Sequence, residues 1–199
     1  PSTLEIPNAF GHGTSTSVEI EQPVSTDLTI SEKTTSDKEL PETLSVEMET
    51  TASLIVDTPN LTVSLEGSYT AVEATTAENT LIVAKNTVIE TLTVKKGNVK
   101  IYGTVGEIVN EGTGKIIRCI DAQDEVERTL ADTRCDHILI EKPAGTLDFG
   151  GGTTTKQVCV EASVTIANLI VSPEKEHPVM VSGDNVKLTL DGVKLVCNA

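Results

Sequence analysis

The sequence predicts an all-β fold, a right-handed, three-sided parallel β-helix (a solenoid) with one short helical excursion. Three observations carry this. Between Lys115 and Val181 four strand-like segments recur, Ile117 with Cys119, Ile138 with Ile140, Val158 with Val160, and Val179 with Val181, at intervals of 21, 20 and 21 residues and with constant parity. A period of roughly 20 to 25 residues with one β-rich unit each is the mark of a solenoid. Several short strands fill each period, joined by turns such as Asp57-Thr58-Pro59-Asn60, Lys96-Gly97-Asn98 and Ser182-Gly183-Asp184-Asn185, which give the coil its sides. The composition agrees: Thr and Val are abundant, Trp is absent and aromatics are 2% of the chain, so the core is built of β-branched aliphatics suited to a pleated surface. An antiparallel β-sandwich is the alternative, since closely spaced short strands fit that class as well. It calls for frequent hairpin turns, yet Asp191-Gly192 is the only clear one, and it gives no reason for the repeat interval.

Residues 1–52 read as an N-terminal β lead-in that caps the first edge of the array. Val18 with Ile20, Leu28 with Ile30, and Leu44 with Val46 alternate with polar residues as half-buried strands do, separated by breakers at Pro7, Gly11, Gly13, Pro23 and Pro41. His12, between two glycines, reads as an exposed turn residue. Residues 53–199 form the β-helix itself. One face runs through Leu54 and Val56, Val72 and Ala74, and Leu92 and Val94, with a longer step of 25 residues from Leu92 to Ile117 across the glycine-rich turn Asn110-Glu111-Gly112-Thr113-Gly114. A second set runs through Leu61 and Val63, Leu81 and Val83, and Val99 and Ile101. Late in the chain Val164 and Ile166 lead to Val186 and Leu188, and Leu147 and Phe149 to Leu169 and Val171, each at 22 residues.

The rhythm breaks near 121–134. The run from Ala122 to Asp132 lacks Gly and Pro, is acidic early, and places Val126 and Leu130 four residues apart on one helical face, with Asp121 as the cap. On the adjoining strands the residues between the inward pairs face outward, and in three coils they are Leu139, Cys159 and Met180. An apolar outward column must be covered. The sequence offers two covers: the helix through Val126 and Leu130 or the lead-in, or else a partner, which makes Leu139, Cys159 and Met180 the candidate contact patch.

The formal charge of −15 disfavours nucleic acid and anionic lipid as partners, and no apolar run is long enough for a transmembrane segment. The scattered carboxylates read as a solvated surface, and no metal or other cofactor is expected. The opening Pro1 fits a trimmed chain or a mature secreted protein. Cys119, Cys135, Cys159 and Cys197 lack the spacing of a zinc site. With Cys119 read as inward and Cys159 as outward two coils away, roughly 10 Å, no disulfide joins them, and free thiols are the expectation. Polysaccharide cleavage requires paired carboxylates or a bound cation with a base in one groove. Asp132, Asp136 and His137 are the nearest approach to an acid and base, but they read as a solvated helix exit, and His177 reads as a loop residue. Phe149-Gly150-Gly151-Gly152-Thr153 has no Lys at phosphate-loop spacing and reads as a tight corner. No catalytic residue is assigned.

The run Thr80 to Val109, TLIVAKNTVIETLTVKKGNVKIYGTVGEIV, resembles the repetitive β-rich, adhesin-like ectodomains of secreted or lipid-anchored proteins of Bacteroidetes-type gut bacteria, closely over these residues and more loosely over 53–110. The resemblance implies an extracellular or cell-surface β-helix protein and leaves lipid anchoring open. The expected function is a non-catalytic module for adhesion, binding or display, with an unknown protein or glycan as ligand. The alternative is a carbohydrate-active enzyme, lyase-like or hydrolase-like, or an auxiliary glycan module.

Overall fold

Inward aliphatic pairs stand directly over one another on parallel strands. In the computed structural model, which describes residues 2–6, 15–32, 43–75, 80–123, 126, 136–174 and 177–196, Ile138 lies opposite Val158 and Val158 opposite Val179, while Ile140, Val160 and Val181 form the neighbouring column. Every strand pair among the described residues is parallel, which excludes the sandwich. The chain divides into two compact units, 1–115 and 116–199.

The first unit holds β1 (Ser2–Ile6), β2 (Ser15–Glu19), β3 (Leu28–Glu32), β4 (Thr43–Asp57), β5 (Thr62–Ala74), β6 (Thr80–Val83), β7 (Val88–Val94), β8 (Asn98–Ile101) and β9 (Thr104–Asn110). The strands of the lead-in are themselves stacked: β1 pairs with β3, and β3 places Leu28 over Leu54 and Ile30 over Val56. Leu54 then meets Val72 and Leu92, and Val56 meets Ala74 and Val94, as their spacing predicts. Leu92 continues to Ile108 rather than to Ile117, because β9 already occupies the next position on the ladder. In the second set Leu81 pairs with Val63, not Leu61, and continues to Val99 as expected. Along this interior the aliphatic side chains are buried, except Ile108, which is half-buried, and each buried one contributes roughly 1.5–3 kcal/mol. Tyr69 lies among them at 1% exposure, its hydroxyl donating toward the carbonyls of Glu66 (2.7 Å) and Val46 (3.2 Å).

The second unit is three-sided. β10 (Ile116–Cys119), β11 (His137–Ile140), β14 (Gln157–Val160) and β17 (Val179–Val181) make one side, β12 (Thr146–Asp148), β15 (Val164–Ala167) and β18 (Leu188–Asp191) the second, and β13 (Thr154–Thr155), β16 (Ile170–Val171) and β19 (Lys194–Leu195) the third. Leu147 stacks on Ile166, not Leu169, and Val164 on Leu188, not Val186. The two-residue slip at Val164 keeps parity, so turn length rather than apolar pattern sets the register there; Leu169 lies beyond the left-handed Asn168, past the end of β15, and so is not on the strand that Leu147 meets. The glycine run is the expected corner, with Gly150 and Gly151 at φ of 67° and 78°.

Two further expectations change. Ile117 lies opposite His137, and Arg118 opposite Ile138, so β10 is turned by one residue: Arg118, 3% exposed, takes the inward parity and Cys119 the outward. The helical excursion is described only at its start, where the Val126 amide bonds to the Ala122 carbonyl at 3.3 Å. Val126 joins the interior cluster with Ile120, Ile138, Leu147 and Phe149, and so does not cover the outward column. Gln123 fixes this entry by exchanging hydrogen bonds with the Asp148 backbone, at 2.7 and 3.1 Å. Leu130, Asp132, Cys135, Cys197 and the glycine turn at His12 lie outside the described residues. No described helix is long and apolar enough to cross a membrane.

Candidate functional site

Alternation along a strand sends residues i and i+2 to the same face, so the outward surface of the β10-β11-β14-β17 side follows from its register alone. Cys119, Leu139, Cys159 and Met180 occupy one continuous column, four rungs deep. The predicted patch of Leu139, Cys159 and Met180 is therefore brought together, with Cys119 added by the turned strand. Exposure grades along it: Cys119 and Leu139 are each 6% exposed, Cys159 is half-buried, and Met180 is 45% exposed. Cys119 and Cys159 are separated by Leu139 and hence by two rung spacings, roughly 10 Å, so no disulfide joins the two.

Beside this column runs Ile117, His137 and Gln157. Gln157, only 4% exposed, ties the two surface sulfurs together. Its Nε2 donates to the His177 carbonyl at 2.9 Å and toward Met180 Sδ at 3.3 Å, and its Oε1 accepts from the Cys159 thiol at 3.5 Å. His177 is thus a loop residue whose backbone is used. Gln157 was missed by sequence reading, although sharing the parity of Cys159 was a signal that it faces the same way.

Asp136 and His137 do come together. Asp136 Oδ1 accepts from the Ile116 amide at 3.0 Å and lies 3.1 Å from His137 Nδ1, while Oδ2 is 3.8 Å from Lys156 Nζ, which also reaches Glu174 at 3.2 Å. Burial alone would raise the Asp136 pKa; the His137 ring and the amide hydrogen bonds outweigh it and hold the carboxyl below its ordinary value. The Asp136 carbonyl accepts from the Lys156 amide at 2.8 Å and the Thr155 hydroxyl at 3.1 Å. Asp136 thereby joins three successive coils, which is a positioning role for its own backbone and neighbours.

A second polar knot sits at the glycine corner. Asp148 Oδ1 accepts from Asn168 Nδ2 and from the Gly150 amide, each at 2.9 Å, and these bonds hold its carboxyl below the ordinary pKa. Asn168 is left-handed, with φ of 54°, and Gly192 stacks beside it where a Cβ would press on the Asn168 amide oxygen. Among the described residues no group of three His, Cys, Asp or Glu side chains is placed to hold a metal ion. No family model, curated protein or solved structure matches the chain.

Proposed function

We propose that this chain is a non-catalytic binding or display module of the cell surface or extracellular space, a β-solenoid whose register lines outward side chains into columns and offers one of them to a protein or glycan ligand. The observation that supports this best is the in-register column Cys119, Leu139, Cys159 and Met180, apolar along its length and open at Met180. Rung-by-rung pairing fixes its backbone, so little ordering cost falls on contact. A flexible thioether at the open end suits an adaptable apolar contact. The glycan-cleaving alternative would rest on Asp136 and His137, but the His137 side chain is 10% exposed and the Asp136 carboxylate is already engaged by Ile116, His137 and Lys156.

The test is binding of the purified protein to glycan arrays, immobilised extracellular proteins and whole cells, repeated with Met180→Asp and with Thr189→Ala on a different side of the coil. The reading expects a ligand whose affinity falls about tenfold or more with Met180→Asp and is unchanged by Thr189→Ala. Binding insensitive to Met180→Asp would refute the patch, and glycan depolymerisation lost with Asp136→Asn would refute the non-catalytic reading.

A further inference from the structure

The chain contains two methionines, and the fold treats them oppositely. Met48 is 2% exposed in the first unit, whereas Met180 is 45% exposed on an outward column of the second. Met180 Sδ lies 3.3 Å from Gln157 Nε2, an amide donor that the His177 carbonyl and the Cys159 thiol hold in place. A thioether is a weak acceptor, and a sulfoxide oxygen on the same sulfur is a strong one. The fixed amide is therefore better matched to the oxidised side chain than to the reduced one.

We propose that Met180 is a modification site for two-electron oxidants of the peroxide class, and that Gln157 receives the resulting sulfoxide. An Sδ lone pair attacks one peroxide oxygen, the O–O bond breaks as the S–O bond forms, and the other oxygen leaves as water after proton transfer. The thioether loses two electrons and the peroxide gains them. Cys159 is the neighbouring sulfur on the next rung, but its S–H is directed at Gln157 Oε1 and its side chain is half-buried, so the exposed thioether meets the oxidant first. Oxidation turns the open end of the column from apolar to polar. That consequence, though not the chemistry, rests on the contact patch proposed above.

The experiment treats the purified full chain with limiting hydrogen peroxide, maps added oxygen on Met48, Met180, Cys119 and Cys159 by peptide mass, and follows the Gln157 side-chain amide by NMR. Met180 gains oxygen on the order of tenfold faster than Met48, one Gln157 amide proton moves downfield in step, and Met180→Leu abolishes both changes. Oxidation of Met48 at the same rate, oxidation of Cys159 ahead of Met180, or a Gln157 amide that stays in place while Met180 is oxidised would each overturn the proposal. No ligand is present in this measurement, so its failure leaves the contact patch standing. Conversely, oxidised protein that binds the glycan array, immobilised extracellular protein or whole cells as tightly as reduced protein overturns the patch and its redox control while the oxidation site stands.

Discussion

Gly67→Ala is the sharpest perturbation the stacking offers. Gly67 has φ of +110° and faces Met48 on the neighbouring rung, where an added Cβ would land on the Met48 carbonyl oxygen. An L-residue in that backbone conformation costs about 1–2 kcal/mol. The clash is with backbone rather than with a side chain that can swing away, so the two rungs must part locally. Parting them weakens the ladder at the flanking Glu47–Glu66 and Glu49–Ser68 positions, at about 1 kcal/mol for each hydrogen bond lost. The sum is roughly 3–4 kcal/mol, a large share of the ~5–15 kcal/mol by which domains are stable. The control is Gly152→Ala, where nothing lies within 4 Å of the added Cβ, and where the change is within about 1 kcal/mol and can be favourable. Urea unfolding followed by circular dichroism, with hydrogen exchange to assign the loss to residues 43–75, reads both. Equal stability of the two variants would refute the rung contact at Met48.

Further expectations follow from the same geometry. Ile140→Ala, at a fully buried inward position, costs about 2–5 kcal/mol, while Ile117→Ala on the outward parity costs about 1 kcal/mol or less; denaturant midpoints that reverse this order contradict the turned β10. Tyr69→Phe costs about 1–2 kcal/mol, because it removes a buried hydroxyl from two carbonyls. Burial, with Glu66 and Glu47 nearby, raises the Tyr69 pKa far above its ordinary 10.0, so the unfolded chain releases this proton first and stability falls as pH rises past 10. Tyr69→Phe should flatten that alkaline slope, and an unchanged slope would sink the assignment. Asp136 has a depressed pKa, so its contribution is present above about its ordinary 3.8 and is lost as pH falls through the lower folded value. Asp136→Asn should lower stability at pH 7 and reduce the acid dependence of the second unit in pH-jump melts; identical acid profiles would count against the three-coil clamp.

Much of this fold was legible because parity is a strong signal. Alternating Leu, Val and Ile define which face is buried, and in Ile138, Val158 and Val179 the interval also equals the true register. Register elsewhere was harder to read. A slip of two residues, as with Leu61 for Val63 or Val186 for Leu188, leaves every side chain on the correct face, so the apolar pattern cannot detect it. At Ile116-Ile117-Arg118-Cys119-Ile120 both parities are nearly all apolar, and the one charged residue argued for the wrong one: Arg118 is buried and Ile117 is not fully so. That single inversion moved Cys119 from the core to the outward column. The candidate site was legible as a column, since Leu139, Cys159 and Met180 share parity. The amide that joins its sulfurs was not, because the reach of Gln157 to His177 depends on the path of a loop rather than on strand alternation.

The central claim is that the aliphatic pairs of successive coils lie on parallel, in-register rungs. Interstrand nuclear Overhauser contacts among Ile138, Val158 and Val179 test it most directly. The account predicts cross-peaks linking Ile138 with Val158, Ile140 with Val160, and Val158 with Val179, in the staggered amide-to-Hα pattern of parallel strands. Close Hα-to-Hα contacts joining Ile138 to Val160 and Ile140 to Val158, as antiparallel neighbours give, would contradict it.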